Sequence, residues 1–150
     1  MTAREWLASV TLAARALRAE EMREELARVA ALGLGSSLGS LPHAHGISDK
    51  MAAVDALIDS EKDAHDRKIA ALDDLARARE VFDGLRSVGW MEAEAANVLE
   101  SVHVNLMPKT DIAEAVHESY STIRRRYDYG VEWLDAHGIA HAREGIGSAT

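Results

Sequence analysis

"DIAEAVHESYSTIRRRYDYGVEWLDAHG", Asp111 to Gly138, reads as two short amphipathic helices joined by a turn. Ile112 and Val116 lie four apart and share one face of the first helix. Ala113 is small where a crossing helix must approach closely. Ser119 can cap the second helix by accepting from the backbone N–H of Ser121 or Thr122. Within that helix Ile123, Tyr127, Val131 and Leu134 recur at i, i+4, i+8 and i+11, an inward stripe. Pro108 pushes Met107 out of the α region and so separates this pair from what precedes it, and Gly138 supplies the stop. The layout is that of a helix-turn-helix.

The inward stripe sorts the three consecutive arginines. With Ile123 as zero and about 100° per residue, Arg126 falls near −60°, beside the core, where its stem can pack and its head can reach solvent. Tyr120, Arg124, Ser121 and Arg125 fall at about +60°, +100°, +160° and +200°, one contiguous polar face over the first two turns. The first turns of a recognition helix are those that enter the major groove. Arginine there pairs with guanine or grips phosphate. Asp128, four residues after Arg124, can hold it in place or neutralise it. The competing interpretation is a solvated helix face with no nucleic-acid role.

Working outward, Met91 to Val104 forms another short helical pattern, preceded by a glycine break in "SVGW" at 87–90. Before it, a helical pattern runs some 39 residues from Ser48 and Asp49, read as N-cap and acidic first turn, to Arg86. Its apolar positions gather at both ends, Val54, Leu57 and Ile58, then Ile69, Leu72, Leu75, Val81, Phe82 and Leu85. A first helix spans about Thr2 to Leu32, with Trp6, Val10, Ala13 and Leu17, then Met22, Leu26 and Val29 after a shift of register. Its opening residues superficially resemble an amphipathic transit peptide, but Glu5 and the following "AEEMREEL" favour an ordinary helix. "GLGSSLGSLPHAHG" at 33–46 separates the two long helices, and Pro42 forbids continuation.

The expected fold is therefore all-α. An extended helical hairpin or coiled coil covers 1–88, with its connector at 33–47. A three-helix helix-turn-helix domain follows at 89–138, and a flexible tail at 139–150. A helix of roughly 58 Å at 1.5 Å per residue exceeds a small globule, so it pairs with the first helix or with a second subunit. Trp6, Trp90 and Trp133 are expected to anchor separate packing contacts.

Composition narrows the chemistry. The 150 residues carry 25 acidic and 17 basic side chains, a formal net charge of −8, so DNA binding requires a locally basic face. There is no cysteine, which removes disulfides and thiolate metal sites and fits a cytoplasmic protein. No apolar run approaches a membrane span. Glu100–His103 and Glu114–His117 repeat the Glu-x-x-His spacing of di-iron bundles. The 14-residue interval between them, broken by Pro108, is too short to return along a bundle. His43 and His45 sit in the connector without an evident third ligand, so no metal or cofactor is expected. Neither a phosphate-binding glycine loop nor a catalytic triad motif occurs, and the chain is not expected to be an enzyme.

"DIAEAVHESYSTIRRRYDYGVEWL" resembles region 4 of sigma-70-type factors, whose usual pattern is I-A-x-x-L-G-x-S-x-x-T-V-x-R. Ile112, Ala113, Val116, Ser119, Thr122, Ile123 and Arg125 match in order. His117 stands where the turn glycine is usual, and Glu118 where an apolar residue packs. "LPHAHGISDKMAAVDALID", 41–59, is similar to the connector and helix start of phage and prophage late transcription regulators of the ArpU type. The two resemblances together cover roughly residues 20 to 136. They imply a phage-type transcriptional regulator that binds double-stranded DNA through Ser119, Tyr120, Ser121, Thr122, Arg124 and Arg125. They also imply a possible contact with RNA polymerase. The long helices suggest a homodimer. The alternative function is a helical adaptor that docks a protein partner without binding DNA.

Overall fold

The computed structural model describes residues 1–34 and 47–145. Among them every regular element is an α-helix: α1 (Ala3–Leu34), α2 (Ile47–Arg86), α3 (Trp90–His103), α4 (Lys109–Val116), α5 (Tyr120–His137) and α6 (Ile139–Glu144). Two long N-terminal helices followed by smaller ones match the all-α expectation. Residues 35–46, with Pro42, His43 and His45, lie outside the described residues. The second helix starts at Ile47, so Ser48 lies inside its first turn rather than capping it. Among the described residues no helix is long and apolar enough to cross a membrane.

The chain forms two compact units, Met1–Arg15 with Leu72–Thr150, and Ala16–Ala71. This division differs from the expected one at residue 88, because the first turns of α1 and the last turns of α2 belong with the short helices. α1 opens with a capping box. Thr2 Oγ1 accepts from the Glu5 N–H at 3.2 Å, and Glu5 Oε2 accepts from the Thr2 N–H at 2.7 Å. The Ala3 N–H donates to Asp135 Oδ1 of α5 at 2.7 Å, which ties the start of α1 to the end of α5.

In this larger unit Leu7, Phe82, Leu85, Leu99, Ile123 and Leu134 are the largest fully buried side chains. Trp6 is half-buried and tilts onto Phe82, ring centroids 5.5 Å apart. Each such residue removes roughly 1.5–3 kcal/mol of apolar surface from water. α3 and α5 cross at Gly130, where a Cβ would stand 2.7 Å from Leu99 Cδ1 and 3.2 Å from the Ala95 methyl. Val98 of α3, Ile112 and Ala113 of α4 and Ile123 of α5 form the core of the three-helix element.

Two expectations are corrected here. The tail from 139 is not frayed throughout, since Ile139–Glu144 is helical and Ala142 is fully buried. Gly138, at φ +92°, ends α5 and lets the chain re-enter a helix. α6 then lies so close to α2 that a Cβ on Gly84 would collide with the carbonyl oxygens of Ala142 and Arg143. The second correction concerns tryptophan. Trp133 is buried, but Trp90 is 73% exposed. It is the first residue of α3.

In the unit Ala16–Ala71, Glu20 is buried and held by Arg67 Nε at 2.8 Å and Arg23 Nε at 3.1 Å. These partners keep its carboxyl below the ordinary glutamate value, Arg67 foremost. Lys68 reaches Glu24 at 3.0 Å. Ala64 is buried as well. By contrast Met22, Leu26, Val29, Met51, Val54, Leu57 and Ile58 are all more than half exposed. All but Met51 are among the apolar positions that the sequence assigns to the two long helices. They project apolar surface that no described part of the chain covers.

Candidate nucleic-acid interface

The turn between α4 and α5 is built from backbone bonds. The His117 N–H donates to Glu114 O at 3.3 Å and the Glu118 N–H to Ala113 O at 3.0 Å, the paired bonds of a Schellman turn. His117 takes the left-handed position, φ 56° and ψ 41°, that glycine normally occupies. Ser119 then caps α5, its Oγ accepting from the Thr122 N–H at 3.2 Å. The same hydroxyl lies 2.8 Å from Thr122 Oγ1 and 3.1 Å from Ser121 Oγ.

The three arginines part company. Arg126 is one-quarter exposed and pairs with Glu94 of α3 at 3.2 Å and with Glu118 at 3.5 Å. It clamps α3, the turn and α5 together. The acidic residue at the turn is thereby offset by a cation of its own fold. Arg124 and Arg125 are exposed, and neither makes an ion pair among the described residues. Asp128 does not take Arg124. Arg125 Nη2 instead donates to Thr122 Oγ1 at 3.4 Å, a neutral contact that leaves its charge unspent.

The structure thus places Ser119, Tyr120, Ser121, Arg124 and Arg125 at the surface over the first two turns of α5. Thr122 is half-buried, engaged with the cap and with Arg125. Tyr120 is 48% exposed. A depression of about 320 Å³ beside Arg125 is walled by Trp90, Met91, Thr122 and Tyr129. Tyr129 Oη donates to Glu92 at 2.8 Å.

On the other flank of α5 stands a polar network that local sequence does not reveal. His103 Nδ1 lies 2.7 Å from Thr11 Oγ1 and Nε2 lies 2.9 Å from Tyr127 Oη. Burial, with Lys109 nearby, pushes the imidazolium down to about 4, so the ring is neutral at pH 7. A neutral ring donates through one nitrogen and accepts through the other, so Thr11 and Tyr127 take complementary roles. Lys109 Nζ stands 3.9 Å over the Tyr127 ring. These partners are up to 92 residues apart in the chain, so no local pattern announces them.

Of the two Glu-x-x-His pairs, Glu100–His103 is engaged within the fold. Glu100 is taken by Arg86, and His103 by Thr11 and Tyr127. Among the described residues no three His, Asp or Glu side chains converge on a common point. No family model, no curated protein and no solved structure matches the chain.

Proposed function

We propose that this chain is a DNA-binding transcriptional regulator whose helix α5 enters the major groove of double-stranded DNA. One observation carries the reading. Of three adjacent arginines only Arg126 is spent on the fold, while Arg124 and Arg125 stand uncompensated on the first turns of a capped helix. Arg124 and Arg125 contact bases or phosphates, Tyr120 and Ser121 the groove edge, and Ser119 and Thr122 hold the helix start.

The resemblance to sigma region 4 and to ArpU-type regulators supports a phage-type protein with RNA polymerase as a further partner, and the absence of cysteine fits a cytoplasmic one. The exposed apolar residues of the Ala16–Ala71 unit, Met22 and Leu26 on α1 with Val54 and Ile58 on α2, support homodimerisation through the long helices. A dimer adds the free energies of two half-sites, which suits one small basic face on an acidic protein.

The test is duplex binding as a function of salt. Each neutralised phosphate gives a log–log slope of about −0.9, and Arg124→Ala with Arg125→Ala should flatten it. No retention on duplex at low salt, the chain's own promoter regions included, would remove the DNA reading. The exposed Trp90 beside its depression favours the alternative, a helical adaptor docking a protein through this face. Binding of DNA that is insensitive to Arg124 and Arg125 would leave that alternative in possession of the face.

A further inference from the structure

The cations nearest Tyr127 do not come from the helix-turn-helix alone. Arg4 and Arg15 lie 11 residues apart on α1, hence on one face about 16 Å apart along the axis. Both line a cleft of about 480 Å³ whose other wall includes His103 and Tyr127. Arg4 acts electrostatically on Tyr127, and Lys109 lies over its ring. Arg124 sits one turn earlier on α5. Arg4 and Arg15 at the cleft, Lys109 over the ring and Arg124 one turn away are four cations in a protein of net charge −8.

None of the four makes an ion pair among the described residues. Acids at either end of this region are already engaged. Asp135 accepts from the Ala3 N–H, Glu5 from the Thr2 N–H, and Glu100 from Arg86. The Asp128 carboxylate acts on Tyr127 without pairing with Arg124. Within the cleft Thr11, Tyr127 and the neutral His103 supply hydrogen-bonding atoms but no counter-charge.

We propose that the cleft lined by Arg4 and Arg15, with Lys109 over the neighbouring Tyr127 ring, holds phosphate of the DNA backbone alongside the groove that α5 enters, making α1 part of the DNA-binding surface. This rests on the DNA reading of α5 and extends it from base contacts to the flanking strand. Phosphate contacts set register and orientation and carry no sequence information. The cleft and the arginines of α5 therefore differ in what their loss does.

The experiment measures duplex binding by fluorescence anisotropy across a salt series, using the full chain. Arg4→Gln with Arg15→Gln should weaken every duplex alike, tenfold or more, and reduce the log–log slope by about 2. Arg124→Ala should instead narrow the gap between preferred and random duplexes. Arg28→Gln with Arg79→Gln removes the same net charge elsewhere and should leave the slope near wild type. If the cleft variant matches wild type, or the control matches the cleft variant, the inference is wrong while the function of α5 stands. A wild-type chain that binds no duplex overturns both. Inorganic phosphate replacing chloride at equal ionic strength, followed by the His103 and Tyr127 ring resonances, distinguishes the source of phosphate. Competition between phosphate and duplex supports the backbone assignment. Saturation by phosphate without loss of duplex binding makes the cleft a site for free phosphate and overturns it.

Discussion

His117→Gly should make the protein more stable, although it shortens a side chain at the centre of the candidate interface. His117 sits at φ 56° and ψ 41°, where a Cβ crowds the following carbonyl at a cost of roughly 1–2 kcal/mol. Glycine removes that cost. It returns part of the gain by enlarging the entropy of the unfolded chain, roughly 0.5–1 kcal/mol. The imidazole is exposed and makes no contact among the described residues, so its loss subtracts nothing. The net expectation is a gain of about 0.5–1 kcal/mol, or a rise of about 1–4 °C in Tm for a chain this long. His117→Ala keeps the Cβ in the same strained region and should stay within about 0.5 kcal/mol of wild type. His117→Val adds β-branching and should lose about 1 kcal/mol. Urea unfolding followed by circular dichroism at fixed pH ranks the three. A glycine variant no more stable than the alanine variant would refute the reasoning, because backbone strain would then not be what distinguishes this position.

Ser119→Ala removes the side-chain acceptor for the Thr122 N–H and should cost about 1 kcal/mol, read in the same unfolding experiment. Gly84→Ala places a methyl against the Ala142 carbonyl, so α6 must leave α2 or the helices must shift, at about 1–3 kcal/mol. Limited proteolysis should then cut near 139–145 faster than in wild type. His103 binds a proton in the unfolded chain near its ordinary value of 6.5 but in the folded chain only near about 4. Its contribution to stability is therefore intact above pH 6.5 and is lost as pH falls from 6.5 towards 4. The loss is at most about 3 kcal/mol, and about half that for a ring partly open to solvent. His103→Gln should flatten this part of the stability–pH curve, and an unchanged curve would place the proton elsewhere.

The parts of the fold that were readable from sequence are those decided within one or two turns. Pro108, Ser119 and Gly138 mark helix ends through backbone geometry that needs no distant partner, and all three fall where helices begin or end. The separation of Arg126 from Arg124 and Arg125 followed from angle alone, and Arg126 proves to be the arginine that packs. Long-range choices were not readable. Periodicity shows that Met22, Leu26 and Ile58 share apolar stripes, but it cannot show that the described residues leave them largely uncovered. Trp90 was expected inside on hydrophobicity alone, which is a one-way rule. The six residues of α6 follow a glycine and include two alanines, too short a run to show a period. Only the close approach to Gly84 reveals why they fold.

Glu118 joins these two kinds of information. In a turn of this type an apolar residue at that position packs back on the preceding helix. A carboxylate there suggests a weakened turn and a negative charge on the face proposed to meet DNA. Arg126 answers both points. Placed beside the core by its angle on α5, it reaches back to Glu118 and across to Glu94, so an ion pair takes over the tie that an apolar contact would make. The exchange explains why the arginine run is three long. Two cations suffice for the exposed face, and the third balances acids that the turn and α3 bring with them. Arg126→Leu should then leave Glu118 uncompensated beside Arg124 and Arg125. It should weaken duplex binding more than its own lack of exposure suggests, and Glu118→Gln on the same background should restore much of the loss. If the second substitution restores nothing, Arg126 serves packing alone and the charge-balance account of this turn fails.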